Sequence, residues 1–433
     1  MSTTSTPRAS LSSLPPELLS SIFLRRRAPN APSTTYSSAA AAEDDEPLRL
    51  PPSCISISRS LLPFTRANAY DHLVLHGDVA LAKFGETLAA EGGKNAWIGG
   101  LVRKLEVRSE SKRFSRYIAQ TQNEDTEMRD EWTKERLHAG ARAASDALVP
   151  GILDEVVIDR ASPGELLTSS VLSSRTFSGG ADGKKKVKLT IVGDEPVSFE
   201  VLRFLGEAKG VGEVEVRGAM RLKTEGAAEE MFLEEIGGVE KVAIESEPHA
   251  AGFVPFLEQT NVKSLRLRCS TTDANVVFGG MGPKTKANLE EVDFSTSGYL
   301  QRELGLAFST FPSLTSLALR SPSLLLTDPF FSSLRLLPRL RSLSLLGPVA
   351  AGGRPCETLE LVADWMESLA VDGRLEELEC VRVDVPKTEV VQGLVVEEGK
   401  PASRAEFHAR RLVAAAERLD ITLSGSFLDL LPR

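Results

Sequence analysis

The chain has 433 residues, of which 42% are hydrophobic and 26% charged, and its formal net charge is −9. These values are ordinary for globular proteins and leave room for one large repeat domain or two to three smaller ones. The basic runs at 25–27 and 184–186 are shorter than the spread contacts that a nucleic-acid backbone requires. No apolar run approaches the roughly 18 residues that cross a bilayer. We therefore expect no nucleic-acid partner and no membrane partner.

A short helix with a broad apolar surface is predicted near the start of the chain. Residues 1–12 are polar and indicate a disordered tail, and two prolines then suit a first helical turn, whose N–H groups are unpaired in any case. Leu18 and Ile22 lie four residues apart and share one face, while Leu19 and Phe23 share the adjacent face. Two apolar faces exceed what packing against one core needs, so one face is free for a partner.

This stretch, Leu14-Pro-Pro-Glu17-Leu18-Leu19-Ser-Ser-Ile22-Phe23, resembles the opening of the F-box, whose pattern is Leu-Pro-x-Glu-Leu-Leu-x-x-Ile-Phe. A low-complexity insertion follows at 25–47, and F-box-like sequence resumes at 54–64, without the Trp often found there in the family. The resemblance implies a module over 13–75 that binds the small Skp-type adaptor of an SCF-type ubiquitin ligase. The residues that it assigns to adaptor binding are Leu14, Pro15, Glu17, Leu18, Leu19, Ile22, Phe23, Ile57, Ser58, Arg59, Leu61 and Leu62. The alternative is that the first helix only caps the core.

Helices and strands alternate beyond this module. Apolar residues at helical spacing predict one helix at 78–91, ended by two glycines, and a second, amphipathic helix that stops at Pro150. Between them, 101–107 predicts a strand, and the strongly charged residues 109–128 are expected to be poorly ordered. The economical arrangement for such an alternation is a strand, a crossover and a parallel strand.

A six-residue phrase, apolar-x-x-apolar-x-apolar, recurs along the chain. Its clearest copies begin at Val262, Leu289, Leu314 and Leu340, at intervals of 27, 25 and 26 residues. A fixed period in this range is typical of stacked repeats. Further strand phrases begin at Leu153, Leu189, Val211, Val239, Leu375 and Leu419.

The phrase resembles the strand segment of leucine-rich repeats. The regular repeat of that family places an Asn three residues after the last apolar strand residue, and here those positions hold Ser270, Ser297, Pro322 and Pro348. We therefore predict an α/β fold in which the F-box-like helical module precedes an irregular leucine-rich-repeat-like solenoid over 76–433, built on a parallel sheet. One repeat cannot bury its own apolar edge, so the repeats must fold as a stack.

Strand residues that face away from the core are candidates for weak target binding. They are Arg266, Arg320, Arg341, Glu376, Glu377 and Glu379. In-register parallel pairing would set Arg266 beside Asp293, so such charges could simply neutralise each other. The acidic group at 376–379 has only Arg341 opposite it and is the better candidate for recognition.

Catalytic and metal-binding signals are weak. The five histidines have no ligand spacing, the four cysteines lie far apart, and the glycine-rich stretch at 279–283 lacks the spacing of a phosphate loop. We expect no cofactor, no metal and no enzymatic activity. The scattered cysteines and the lack of an Asn-x-Ser/Thr sequence favour a reducing compartment, cytoplasmic or nuclear.

One functional expectation and one alternative follow. The resemblance implies a substrate-recognition subunit of an SCF-type ubiquitin ligase, which would join the cullin-RING core through the adaptor and hold an unidentified target protein on the solenoid for ubiquitin-dependent degradation. The alternative is a repeat-type scaffold for protein–protein interaction with no ubiquitin-ligase role.

Overall fold

A computed structural model describes part of the chain. The described residues are 70–93, 96–108, 134–148, 153–159, 186–193, 197–198, 210–218, 222–223, 238–246, 249–296, 302–320, 328–346, 355–372, 375–384 and 404–431. The adaptor-binding residues expected between Leu14 and Leu62, the insertion at 25–47 and the charged stretch at 109–128 lie outside them. The chain divides into two compact units, Met1–Val157 and Ile158–Arg433.

The first unit combines parallel strands with two long helices. Its elements are β1 (His72–His76), α1 (Gly77–Gly93), a 3-10 helix (Ala96–Leu101), β2 (Lys104–Arg108) and α2 (Lys134–Ala147). β1 and β2 are parallel, with Leu73 opposite Leu105. The helices approach closely at Gly85, where an added Cβ would clash with the carbonyl oxygen of Gly140. The two helices predicted in this region, at 78–91 and before Pro150, and the strand predicted at 101–107 are confirmed.

The remaining strands continue the same alternation. They are β3 (Glu155–Asp159), β4 (Val187–Val192), β5 (Val197–Ser198), β6 (Val211–Arg217), β7 (Leu222–Lys223), β8 (Lys241–Glu245), β9 (Ser264–Arg268), β10 (Glu291–Ser295), β11 (Ser316–Arg320), β12 (Ser342–Leu346), β13 (Cys380–Asp384) and β14 (Thr422–Ser424). Among the described residues of the second unit, β5 and β7 form a small parallel pair, and β4, β6 and β8 to β14 pair in chain order into one parallel sheet. The predicted α/β fold with a parallel sheet is therefore confirmed, and it fits a solenoid-like arrangement.

Helices connect the strands of the second unit. They are α3 (Val254–Glu258), α4 (Thr271–Gly280), α5 (Pro283–Asn288), α6 (Arg302–Phe308), α7 (Asp328–Leu334), α8 (Pro355–Asp372) and α9 (Arg404–Leu419). Helix α4 begins where the Ser270 hydroxyl accepts a hydrogen bond from the Asp273 N–H at 3.1 Å, a typical N-cap. Successive helices from α6 to α9 pack against one another. In the part of the chain that the structure describes, no helix is long and apolar enough to cross a bilayer.

Two rows of buried apolar side chains run across the strands. The first row is Leu265, Val292, Leu317, Leu343 and Val381, and the second is Leu267, Phe294, Leu319, Leu345 and Val383. Phe278 of α4 packs edge-to-face against Phe308 and Phe311, with ring centroids 5.0 and 5.8 Å apart. Each such buried side chain contributes roughly 1.5–3 kcal/mol, and neighbouring repeats share the contacts. The rows explain the apolar phrase, since its last two apolar positions fill them.

The prediction that a strand phrase begins at Leu375 is wrong by three residues, because the observed strand is Cys380–Asp384. The apolar pair of β12 lies opposite Val381 and Val383, so the phrase begins at Leu378. Both frames match the apolar pattern, because the sequence offers apolar residues at each alternative position. Leu375 instead adopts a left-handed backbone, with φ of 64°. The interval from the preceding copy is therefore 38 residues (378 − 340), not 35.

Candidate functional site

The strand face opposite the core rows carries polar side chains in register. Its middle row is Thr190, Glu215, Ala243, Arg266, Asp293, Ala318, Ser344, Arg382 and Ser424. The next row, toward the carboxyl ends of the strands, is Val192, Arg217, Glu245, Arg268, Ser295, Arg320, Leu346 and Asp384. We call this surface the polar face. It divides into a closed part on β4, β6 and β8 and an open part on β9 to β13.

The closed part buries its middle row. Thr190, Glu215 and Ala243 are 2%, 1% and 4% exposed. Lys188 Nζ lies 2.5 Å from Glu215 Oε2, and Arg217 Nε lies 2.7 Å from Glu215 Oε1. These two cations reach it from the flanking rows, so the carboxylate is enclosed by its partners.

Electrostatics keep this enclosed group ionised. Burial alone would raise the pKa of Glu215, but hydrogen bonds from Arg217 and Lys188, with their charges, outweigh it and hold the pKa below its usual range. Burial likewise opposes the charge on Lys188, and the contacts with Glu215 and Glu213 raise the pKa of that amine. The three groups form a charged cluster whose ion pairs stabilise the closed part.

The open part presents charged side chains to solvent. Asp293 on β10 accepts hydrogen bonds from Arg266 Nε at 3.3 Å and from Arg320 Nε at 2.8 Å. The two arginine side chains are 53% and 49% exposed, against 21% for the carboxylate. The predicted pairing of Arg266 with Asp293 is confirmed, and Arg320 shares the same carboxylate. At this exposure each pair contributes at most about 1 kcal/mol to stability.

Small side chains form the floor beside this cluster. Ser316 and Ala318 on β11 and Ser342 and Ser344 on β12 are all partly exposed, with no long side chain among them. Neighbouring strands lie about 4.8 Å apart. The floor therefore leaves a shallow strip, two strands wide, between Asp293 and the side chains of β13.

The other predicted residues gather at the amino ends of β12 and β13. Arg341 Nη2 lies 3.2 Å from Glu377 Oε2, and Arg341 Nη1 lies 3.6 Å from Glu379 Oε1. Glu376 is exposed in the turn just before β13. Five of the six predicted target-binding residues thus fall into two clusters, one around Asp293 and one around Arg341, and Glu376 lies exposed next to the second in sequence. The acidic group has its arginine partner, so it offers less uncompensated charge than its sequence indicates.

Sequence reasoning missed the polar residues of β13. Arg382 Nη2 lies 2.8 Å from Asp384 Oδ2, and the Asp384 carboxylate also accepts the Ser426 N–H at 3.0 Å. Both residues follow from the corrected phrase at Leu378, which places them on the polar face. Arg268 was missed as well, although it lies two residues after Arg266 and so shares its face.

The sequence matches no known family model, and no curated protein matches it.

Proposed function

We propose that this chain is a substrate-recognition subunit of an SCF-type, cullin-RING ubiquitin ligase. Its F-box-like residues, from Leu14 to Leu62, bind the Skp-type adaptor, and the open part of the polar face binds a target protein. The chain itself is not an enzyme on this proposal, and it acts in the cytoplasm or the nucleus. The target is held near the ubiquitin-carrying subunit, which raises the effective concentration of the reacting groups.

The open part of the polar face is the observation that carries this proposal. Five adjacent parallel strands present exposed side chains in one continuous register, with arginines and carboxylates beside a floor of small residues. Solenoids commonly bind partners on such extended strand surfaces. The F-box resemblance at 14–23 supports the ubiquitin-ligase role, whereas the face alone supports partner binding in general.

A scaffold with no ubiquitin-ligase role is the alternative. It shares the open face and differs only at the N-terminal module, whose apolar helix would then serve as a cap. Binding to a Skp-type adaptor therefore separates the two functions.

A pull-down with purified adaptor tests the proposal. The wild-type chain should retain the adaptor, and the double substitution Leu18→Asp and Ile22→Asp should abolish retention while circular dichroism stays unchanged. Arg341→Ser is the matched control, because it changes an exposed charge on the polar face and should leave adaptor binding intact. Failure of the wild-type chain to bind the adaptor, or unfolding of the double variant, would favour the scaffold with a capping helix.

A further inference from the structure

Three arginines surround a small residue on the open part of the polar face. Arg268 on β9 and Arg320 on β11 lie in one row, with Ser295 of β10 between them. Arg266 lies two residues before Arg268 and faces the same way, roughly 7 Å along the strand. The two arginines of the row are two strand spacings apart, on the order of 10 Å. Ser295 has a short side chain, so among the described strand residues none with a long side chain stands between the two arginines in this row.

The local charge is positive although the chain as a whole is acidic. Three guanidinium groups lie near two carboxylates: Asp293, which pairs with Arg266 and Arg320, and Glu245 on β8, which lies opposite Arg268; the formal net charge of the chain is −9. The bonds from Arg266 and Arg320 to Asp293 use Nε. A guanidinium has five N–H donors, four of them on its two Nη atoms, and both side chains are about half exposed. The cluster is therefore suited to accept a second anionic group beside Asp293.

We propose that the cluster Arg266, Arg268 and Arg320 binds an acidic side chain, carboxylate or phosphate, on an extended segment of the target protein. Guanidinium groups bind both anions through paired, charge-assisted hydrogen bonds. The floor of Ser316, Ala318, Ser342 and Ser344 accommodates the backbone of such a segment without a bulky obstacle. This inference rests on the proposed target-binding role and specifies its chemistry.

A protein segment fits this surface better than a nucleic acid. Nucleic-acid binding needs many spread cationic contacts along a phosphate backbone, and here the arginines share their surface with Asp293 and, at the amino ends of the strands, with Glu290 and Glu291. A continuous row of phosphates would meet these carboxylates. A single acidic side chain would face mainly Asp293, whose charge Arg266 and Arg320 already offset.

Fluorescence anisotropy with the full-length chain tests the inference. The probes are three labelled ten-residue Gly/Ser peptides that differ at two central positions, which hold Glu, phosphoserine or Lys, and a labelled ten-nucleotide oligothymidine. We expect the Glu or the phosphoserine peptide to bind and the Lys peptide not to bind. Tighter binding of the phosphoserine peptide would identify phosphate as the recognised group, and equal or tighter binding of the Glu peptide would identify carboxylate.

Variants locate the binding. The affinity for the acidic peptide should fall by at least about fivefold in each single variant, since a charge-assisted hydrogen bond is lost. These variants are Arg266→Ser, Arg268→Ser and Arg320→Ser. Asp293→Asn should instead strengthen binding, because it removes the competing carboxylate, and a purely structural role of the cluster would not produce this gain. Arg410→Ser, which removes an exposed arginine of helix α9, should change the affinity less than about twofold.

Three results would overturn the inference. The first is that neither acidic peptide binds the wild-type chain. The second is that a chain carrying all three substitutions, Arg266→Ser, Arg268→Ser and Arg320→Ser, binds the acidic peptide as tightly as the wild-type chain does. The third is that the oligothymidine binds more tightly than the peptides. None of them affects the adaptor pull-down, which depends on Leu18 and Ile22, so the inference and the proposed function fail separately.

Discussion

The closed and open parts of the polar face share one register, but similar residues are buried in the closed part and reach solvent in the open part. Glu215 and Asp293 both lie in the middle row and each binds two cations, yet the first is 1% exposed and the second 21%. Ala243 and Ala318 occupy the same row, and the first is buried while the second is partly exposed. The repeat pattern therefore fixes which way a side chain points, and its neighbours determine whether it reaches solvent.

This difference assigns separate roles to the two parts. Buried charges depend strongly on their partners, because an ion left alone in a low-dielectric surrounding is costly. Exposed charges contribute little to stability and are free to exchange partners. The closed part thus stabilises the stack, and the open part is the one available for binding.

The largest expected contrast comes from placing the same bulky charge at the two alanines. Ala243→Arg should lower the free energy of unfolding by about 3 kcal/mol, because the site has no room and no solvent for a guanidinium. Ala318→Arg should change it by less than about 0.5 kcal/mol, as is usual for surface substitutions. Urea denaturation of both variants measures the contrast, and equal losses would show that the two parts do not differ.

A smaller contrast is expected between the two carboxylates. Glu215→Gln should lower the free energy of unfolding by about 2–3 kcal/mol, since it weakens the bonds to Lys188 and Arg217 and removes the buried charge that both cations share. Asp293→Asn should cost less than about 1 kcal/mol. The same denaturation experiment at pH 7 gives both values. A larger cost at Asp293 would contradict the assignment of buried and exposed clusters.

The pH dependence of stability should show a still smaller effect of Glu215. Its pKa in the folded chain lies below its usual value of 4.5, so its contribution is complete above that pH and is lost as the pH falls through the folded pKa. The wild-type chain should therefore lose more stability than Glu215→Gln between about pH 5 and pH 3. Denaturation curves of both chains across this range measure the difference, and parallel curves would exclude a lowered pKa at this residue.

Much of the sheet could be predicted from the sequence. The copies beginning at Val262, Leu289, Leu314 and Leu340 each place two apolar residues in the buried rows, because a strand alternates its faces and parallel strands pair in register. The ion pair of Arg266 with Asp293 followed from the same register. Local periodicity suffices where each repeat has one possible frame.

Three features could not be predicted in this way. Leu375 and Leu378 each begin an acceptable phrase, and only the pairing with β12 decides between them. The burial of Glu215 depends on Lys188 and Arg217, one from a neighbouring strand, and no spacing within its own phrase indicates it. The arginine cluster went unrecognised because Arg268 was not among the candidates, and only the register of three strands sets Arg268 and Arg320 on either side of Ser295.

Thiol labelling tests the division of the polar face most directly, since a cysteine fits both alanine positions with little disturbance. Ala243→Cys and Ala318→Cys would each be made in a chain whose native cysteines are replaced by serine, and the folded proteins treated with iodoacetamide. We expect the cysteine at 318 to react at nearly the rate of the unfolded chain and the one at 243 to be protected by a large factor. Equal rates at the two positions would contradict the account, because the face would then have no open part distinct from a closed one.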